Sequence, residues 1–212
     1  MEKLLEIYME CKSTEALGPY KRYGLWLQGC DKACKGCISV ESRQIGGGYK
    51  KSIGELAKAI SSQSEIEGIT ISGGEPFLQA ELLEKLLAEI KQKRDLGVII
   101  YTGYYLEQLK SLEKKKPSIN SVLSITDILI DGIYSEELND GKSLRGSLNQ
   151  NVLFFTDRYK YVAEEYYNLP NRKVEWIIGN EGMQLVGIPD KKTSEMFLEK
   201  LKKTGRVTNE LL

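Results

Sequence analysis

Strand and helix patterns alternate through the middle of this chain and limit the folds open to it. Compact apolar segments at residues 68–72, 98–101 and 125–130 each follow a helical pattern. Strand, helix and strand repeat at about thirty residues, as βαβ units with a parallel sheet do. Right-handed crossovers would wind such units into a doubly wound sheet or a barrel, and there are too few for a closed eight-stranded barrel. We therefore expect an α/β fold, an open partial (βα) barrel with mainly parallel strands.

The helices of this repeat carry signals for their ends. Ser52 and Glu55 have the spacing of a capping box, which opens the first helix. A second helix is expected over residues 79–94, where leucines and an isoleucine fall on one face. A third is expected over residues 105–115, and Pro117 bars its continuation.

The last third of the chain is less regular. We expect residues 1–157 to form the core and residues 158–212 to form an extension packed on it, within a single domain. The extension is expected to include a β-hairpin and a helix. The elements predicted in this part are an edge strand at 151–155, a helix over 157–167, hairpin strands at 174–178 and 183–186, and a helix over 193–203.

Three of the four cysteines stand in one short loop. Cys30, Cys34 and Cys37 follow a strand predicted at residues 23–28, and such short spacings let several sulfurs converge on one inorganic centre. Three thiolates are one fewer than the four that saturate an iron–sulfur cube or a structural zinc, which leaves a position for a substrate. Zinc completed by a carboxylate or by Cys11, just past a strand predicted at residues 4–9, is the alternative. A disulfide framework is disfavoured in a chain this long.

The composition of the chain disfavours several classes of function. The 212 residues carry 30 basic and 30 acidic side chains, so we expect no large positively charged surface of the kind that binds nucleic acid. Histidine is absent, which excludes a histidine-completed zinc site and makes ordinary hydrolytic catalysis less attractive. No apolar run has a membrane-spanning length and no signal peptide is evident, so we expect no membrane contact and a reducing cytoplasm.

Polar or glycine residues follow several predicted strands. In parallel α/β folds the carboxyl ends of the strands lie on one face, where ligands bind. Any one of these motifs alone is typical of a turn, but together with the cysteine loop they favour a shared site. The four motifs at strand ends are Gly29 with the cysteines, residues 72–76 (SGGEP), residues 101–103 (YTG) and residues 131–134 (DGIY). Arg145, further on, could grip a carboxylate or belong to a surface loop.

These residues together resemble the radical S-adenosylmethionine superfamily. Its signature for a [4Fe–4S] cluster is similar to the spacing of Cys30, Cys34 and Cys37, and its GGEP motif is similar to residues 73–76. The chain most resembles the family of activating proteins for anaerobic (class III) ribonucleotide reductase, from about residue 18 to residue 157. The blocks that carry this likeness are GP at 18–19, LQGC at 27–30, YTGY at 101–104, DG at 131–132 and RGSLNQ at 145–150.

The resemblance implies roles for individual residues. The three cysteines would hold the [4Fe–4S] cluster, and a free iron would take the amino and carboxylate groups of S-adenosylmethionine. Reductive cleavage would then give a 5′-deoxyadenosyl radical that abstracts a hydrogen atom. The implied cofactor-binding residues are Ser72, Gly73, Gly74 and Glu75 near the methionine amino group, Thr102 near the ribose or carboxylate, and Asp131 and Arg145 at the carboxylate or ribose end. Glu75 could instead stabilise a helix N-terminus.

Three functions remain open from the sequence. The first is an activase that takes hydrogen from a glycine of a large glycyl-radical protein, anaerobic ribonucleotide reductase, with a flavodoxin- or ferredoxin-type reductant. The second is a radical enzyme that modifies a ribosomal peptide or a small molecule such as a deazapurine precursor. The third is a non-enzymatic metal-binding interaction module.

Overall fold

The structure of the protein is a computed structural model. It describes residues 4–162, 166, 172–179, 182–190, 193, 196 and 199. Most of the helix predicted over 193–203 and part of the helix predicted over 157–167 lie outside these residues; residues 160–162 are helical.

In the described part of the chain, seven strands form one sheet. They are β1 (Leu4–Thr14), β2 (Arg22–Leu27), β3 (Tyr49–Ser52), β4 (Gly68–Gly73), β5 (Gly97–Tyr101), β6 (Ile128–Asp131) and β7 (Asn151–Phe154). The strand order is β3-β1-β2-β4-β5-β6-β7. The four central strands β2, β4, β5 and β6 are parallel, and the outer strands pair antiparallel. The α/β fold with a mainly parallel centre is confirmed, and the sheet is open, with β3 and β7 at its edges.

Helices cover one face of this sheet. They are α1 (Ile53–Ser61), α2 (Ala80–Lys93), α3 (Leu106–Glu113) and α4 (Ser118–Ile125). The predicted capping box is present, since the Glu55 amide donates to Ser52 Oγ at 3.3 Å and the Ser52 amide donates to Glu55 Oε2 at 3.1 Å. The apolar face of α2 is buried on the strands, through Leu83, Leu86, Leu87 and Ile90. This face of the sheet holds the main hydrophobic core.

The segment before β6 differs from the sequence prediction. A strand was expected over residues 125–130, but α4 continues through Ile125 and β6 begins at Ile128. Pro117 lies at the N-terminal end of α4, where a missing amide and a fixed φ are compatible with a helix start. Ile119, Val122 and Leu123 then bury one helical face, a pattern too short to distinguish from a strand by periodicity.

The predicted first strand was also too short. β1 extends to Thr14, so Cys11 lies within the strand rather than just past its end. The register between β1 and β2 shifts between Cys11 and Thr14, and such irregular pairing masks the usual alternation. The edge strand β3 was missed because its residues 49–51 (YKK) are largely polar, as edge strands commonly are.

A β-hairpin packs against the sheet through a second, separate cluster. The predicted hairpin is confirmed as β8 (Val174–Gly179) and β9 (Gly182–Gly187), paired antiparallel. Its Val186 is fully buried with Cys11, Leu17 and Trp26. None of the described helices has the length and apolar character needed to cross a bilayer.

Candidate radical and iron–sulfur site

A short loop after β2 carries the three clustered cysteines, and hydrogen bonds hold its two flanks together. The Gly29 amide donates to the Ser42 carbonyl at 2.7 Å, and the Cys30 amide donates to the Arg43 carbonyl at 3.0 Å. The buried Gln28 side chain donates to two further carbonyls of the same flank, at 3.0 and 2.7 Å. The loop is therefore closed at its base, beside the carboxyl end of β2.

Glycine is required between the second and third cysteines. Gly36 has φ +72°, in the left-handed region that residues with a Cβ rarely adopt. A Cβ at this position would also lie 2.8 Å from Glu136 Oε2. The loop can therefore turn here and pack against the segment that follows β6.

All three loop thiols are free and partly buried, and they line one cavity. Burial raises the pKa of the Cys30 thiol and of the Cys37 thiol. Among the described residues, no three Cys, Asp or Glu side chains already stand together as a metal site, so cluster binding requires the thiols of Cys30, Cys34 and Cys37 to converge. Cluster ligands are thiolates, so binding also requires these thiols to lose their protons. Cys11 packs in the second apolar cluster instead. Three thiols of one loop facing one cavity fit a [4Fe–4S] cube that keeps an iron for another ligand.

The end of β4 runs beside this loop. Ser72, Gly73, Gly74 and Glu75 all line the cavity. The Glu75 amide donates to the Gly29 carbonyl at 2.8 Å. A Cβ at Gly74 would lie 2.1 Å from that same carbonyl oxygen, so glycine is needed for the two backbones to approach. The glycine pair thus has a packing reason and also exposes backbone to the cavity.

Glu75 connects three segments of the cavity wall. Its carboxylate accepts from the Phe77 amide at 3.0 Å, the Gly103 amide at 2.8 Å and the Thr102 hydroxyl at 2.9 and 3.0 Å. Burial raises the pKa of Glu75 to about 7, although these hydrogen bonds act in the opposite direction. The bond to Phe77 caps the helical turn at Pro76–Gln79, as the alternative reading of Glu75 expected. The same carboxylate also joins β4 to the end of β5.

Thr102 lies at the cavity with its hydroxyl already engaged. The side chain is 4% exposed, donates to Glu75 and accepts from the Tyr104 amide at 3.1 Å. Thr102 therefore shapes the wall formed by the end of β5.

A charged pair from the cysteine loop rests on the segment after β5. The Lys32 ammonium lies 3.4 Å from the centroid of the Tyr104 ring and 3.3 Å from the Asp31 carboxylate. The Tyr104 hydroxyl donates to Asp31 Oδ2 at 2.6 Å. Burial alone would raise the pKa of Asp31, but the bonds from Tyr104 and Lys32 lower it overall. Lys32 also lines the cavity that the three thiols line.

Two of the predicted cofactor-binding residues do not line the cavity. Asp131 is buried at the end of β6, where it accepts from the Leu106 amide at the start of α3 and from Asn151 Nδ2, both at 2.8 Å. Arg145 forms a fork on Asp140 in its own loop, with Nε at 3.1 Å and a second, shorter bond. Burial would raise the pKa of Asp140, yet the bonds from Arg145 lower it overall. The structure therefore places both residues in supporting contacts.

Sequence reasoning gave no role to Gln150, which lines the cavity. Its side-chain oxygen accepts from the Gly146 amide at 2.8 Å, and its nitrogen donates to the Gly132 carbonyl at 2.8 Å. Gln150 thereby ties the end of β6 to the 145–150 loop. The sequence signal that could identify it is its place at the end of the RGSLNQ block.

The end of β9 and the residue after it also reach the cavity. Gly187 at the end of β9 and the following Ile188 line it, together with Leu17 and Trp26 from the core. Arg172 joins the extension to the loop that carries Arg145, through bonds to the Lys142 carbonyl at 2.7 Å and the Gly146 carbonyl at 3.0 Å. One wall of the cavity therefore comes from beyond residue 157.

An α/β sheet with three loop thiols and a glycine-rich strand end at one cavity fits a protein that holds a single iron–sulfur cluster. Residues 16–153 match the family described as "4Fe-4S single cluster domain". Since this match covers well over half of the chain, the chain belongs to that family.

Curated relatives give a second comparison. Pyruvate formate-lyase-activating enzymes of Staphylococcus aureus strains USA300, NCTC 8325 / PS 47 and COL are each 36% identical to this chain over 96 residues. Each match covers 38% of this chain and 36% of the relative, so the chain spans about a third of these relatives. The family is defined by a single [4Fe–4S] cluster, and these relatives are activating enzymes by name. They do not single out the ribonucleotide reductase activating proteins.

Proposed function

We propose that this chain is a radical S-adenosylmethionine enzyme that activates a glycyl-radical protein. The supporting observation is the common cavity of the three loop thiols and the Ser72–Gly74 backbone. When bound, the cluster would supply one electron that cleaves S-adenosylmethionine to methionine and a 5′-deoxyadenosyl radical, which takes a hydrogen atom from the substrate.

The predicted site residues have different roles in this proposal. Cys30, Cys34 and Cys37 hold the cluster, and Ser72, Gly73 and Gly74 present backbone to the methionine amino end. Glu75 and Thr102 fix the wall between the ends of β4 and β5 through their mutual hydrogen bonds. Asp131 and Arg145 act on the cofactor through α3 and the 139–150 loop, which they hold in place.

The hydrogen donor is proposed to be a glycine of anaerobic ribonucleotide reductase, and the electron donor a flavodoxin- or ferredoxin-type protein of the cytoplasm. The relatives' name directs a second assay to pyruvate formate-lyase. A protein loop must reach the cavity in either case, which an open sheet permits.

The overall shape supports this access. We propose that the open sheet is a partial barrel of the radical S-adenosylmethionine type, and that residues 158–212 form an extension packed on a core of residues 1–157. Val186, buried between the hairpin and β2, and Ile188 at the cavity support this division.

The cofactor assignment is tested on anaerobically reconstituted protein. We expect four irons and four sulfides per chain, as a single [4Fe–4S] cluster contains about four of each, and 5′-deoxyadenosine formation under dithionite. Cys34→Ala should lose both cluster and cleavage, whereas Cys11→Ala, a thiol of the apolar cluster, should keep both. Wild-type protein that holds zinc with four ligands, or that makes no 5′-deoxyadenosine, would overturn the proposal.

The substrate is tested separately. Reduced protein and S-adenosylmethionine are mixed with anaerobic ribonucleotide reductase or with pyruvate formate-lyase, and electron paramagnetic resonance is used to detect a glycyl doublet. We expect the doublet on the reductase. A doublet only on the lyase would reassign the partner. Cleavage without a doublet on either protein would contradict the activase function and favour a peptide or small-molecule substrate.

A further inference from the structure

Lys32 is a cation held in place at the cavity that the thiols line. Its side chain is 17% exposed, low for a lysine, and it lines the same cavity as Cys30, Cys34 and Cys37. The ammonium has two fixed neighbours, the Tyr104 ring at 3.4 Å and the Asp31 carboxylate at 3.3 Å. A cation over an aromatic face is attracted by the ring quadrupole, more strongly where water is partly excluded.

Tyr104 fixes both members of the charged pair. The ring supports the Lys32 ammonium, and the hydroxyl donates to Asp31 at 2.6 Å. The stem of Lys32 also packs on Gly103, where a Cβ would lie 3.0 Å from Lys32 Cγ. The position of the Lys32 side chain is therefore set by contacts with the residues that follow β5, although its backbone belongs to the cysteine loop.

Lys35 of the same loop has a different environment. Its ammonium lies 3.6 Å from Glu137, and its side chain is 85% exposed. Lys35 does not line the cavity. The loop therefore carries one lysine at the cavity and one in solvent, which gives a matched comparison of the same charge.

We propose that Lys32, positioned by Tyr104, stabilises the negative charge that the three-thiolate cluster site gains on one-electron reduction, and thereby raises its reduction potential. The inference rests on the proposed cluster and goes beyond the assignment of its ligands. In this step one electron comes from a low-potential donor protein, or from dithionite in the assay, and no bond is formed or broken. A nearby cation stabilises the reduced state most where solvent screening is weak. The Lys32 amide bond to Cys30 Sγ at 3.4 Å acts in the same direction.

The test is a potentiometric titration of the reconstituted protein, followed by electron paramagnetic resonance without S-adenosylmethionine or partner. Lys32→Met should lower the equilibrium constant for reduction about tenfold, a shift of about 59 mV to more negative potential for a one-electron couple. Lys32→Arg should keep most of the wild-type potential. Lys35→Met removes the same charge from the exposed position and should change the constant less than about twofold.

Two further variants keep the test decisive if Lys32→Met does not assemble a cluster. Tyr104→Leu removes the support of the ammonium outside the cysteine loop and should shift the potential in the same direction as Lys32→Met. Asp31→Asn removes the neighbouring negative charge and should shift it in the opposite direction.

Equal shifts for Lys32→Met and Lys35→Met, or no shift with iron and sulfide content intact, would overturn the inference and leave the proposed function standing, since cleavage of S-adenosylmethionine is measured independently. Wild-type protein without a cluster would overturn both.

Discussion

Glu75 is the residue through which the ends of β4 and β5 and the turn after β4 are joined. Its buried carboxylate accepts hydrogen bonds from the amides of Phe77 and Gly103 and from the hydroxyl of Thr102. Glutamine in its place would offer one acceptor oxygen and add two N–H donors that face other donors. A carboxyl group at this position therefore serves the local geometry before any cofactor is considered.

The pKa of Glu75 makes the stability of the cluster-free protein depend on pH. Burial raises the pKa from 4.5 to about 7, so the folded state binds the proton more tightly than the unfolded state. The resulting stabilisation is fully present below pH 4.5 and is lost as pH rises through about 7. The difference corresponds to about 3 kcal/mol as an upper estimate. Urea unfolding at pH 5 and pH 8 should show this decline in the wild type and not in Glu75→Gln. The exposed Glu65→Gln is the control and should show the same decline as the wild type. A decline that persists in Glu75→Gln would contradict the assignment of the pH dependence to Glu75.

Gly74 lets the backbones of two strand ends approach. Alanine there would place its Cβ 2.1 Å from the Gly29 carbonyl oxygen, so backbone must move. We expect Gly74→Ala to lower the free energy of unfolding by about 2 kcal/mol or more and to reduce cluster content. Gly54→Ala in α1, where the nearest atom to the new Cβ is 3.9 Å away, should be neutral or slightly stabilising. Denaturant unfolding and iron analysis give both readings; equal effects of the two substitutions would refute the close-approach argument.

At the residue scale, the sequence indicated which residues lie at the site better than it indicated their hydrogen-bond partners. The spacing of the cysteines and the SGGEP segment predicted a shared site at strand ends, and the three cysteines and residues 72–75 line one cavity. The partners of Asp131 and Arg145 were not predictable, because a carboxylate and a guanidinium bind a backbone amide or a neighbouring acid as readily as a cofactor. Only tertiary structure shows that Asn151 and Asp140 already occupy them.

At the scale of elements, clear periodicity and end signals predicted α1, α2, β4 and β5 closely. The elements that were missed or displaced had weak local signals. β3 is a four-residue polar edge strand, and α4 is an eight-residue helix that begins directly after a proline. In both, pairing with β1 or packing under α2 decides the structure, and neither contact is visible in a local pattern.

Arg172 is the contact by which the extension holds the loop at the cavity. Its guanidinium binds the Lys142 and Gly146 carbonyls and the Asn139 side chain. We expect Arg172→Ala to increase amide hydrogen exchange across residues 139–147 at least about tenfold, because each tenfold factor corresponds to only about 1.4 kcal/mol of local stability. The neighbouring Lys173→Ala loses a half-exposed ion pair with Glu15 and should leave that loop unchanged. Exchange in the loop that is the same in both variants would argue against this role.

At the scale of the whole molecule, the two edges of the parallel strands have different tasks. The cavity lies at the carboxyl edge, beside the ends of β2, β4 and β5. At the amino edge, the fully buried Arg22 donates to the Ile69 and Gly97 carbonyls, to Thr70 and to the Tyr159 hydroxyl. This network ties β2, β4 and β5 to Tyr159, away from the carboxyl edge that carries the thiols.

The separation of these edges predicts that stability and cluster chemistry can be changed independently. Arg22→Met removes the cation from Glu67, 3.2 Å away, and leaves two strand carbonyls without their donor. We expect the free energy of unfolding to fall by about 3 kcal/mol, because breaking a buried polar network strands its remaining members. The folded fraction should still bind a cluster of wild-type potential. Lys21→Ala, which removes the adjacent exposed ion pair with Glu65, should have little effect on unfolding. Urea unfolding and potentiometry on the same samples measure both quantities, and a shifted potential in Arg22→Met would show that the amino edge is coupled to the site after all.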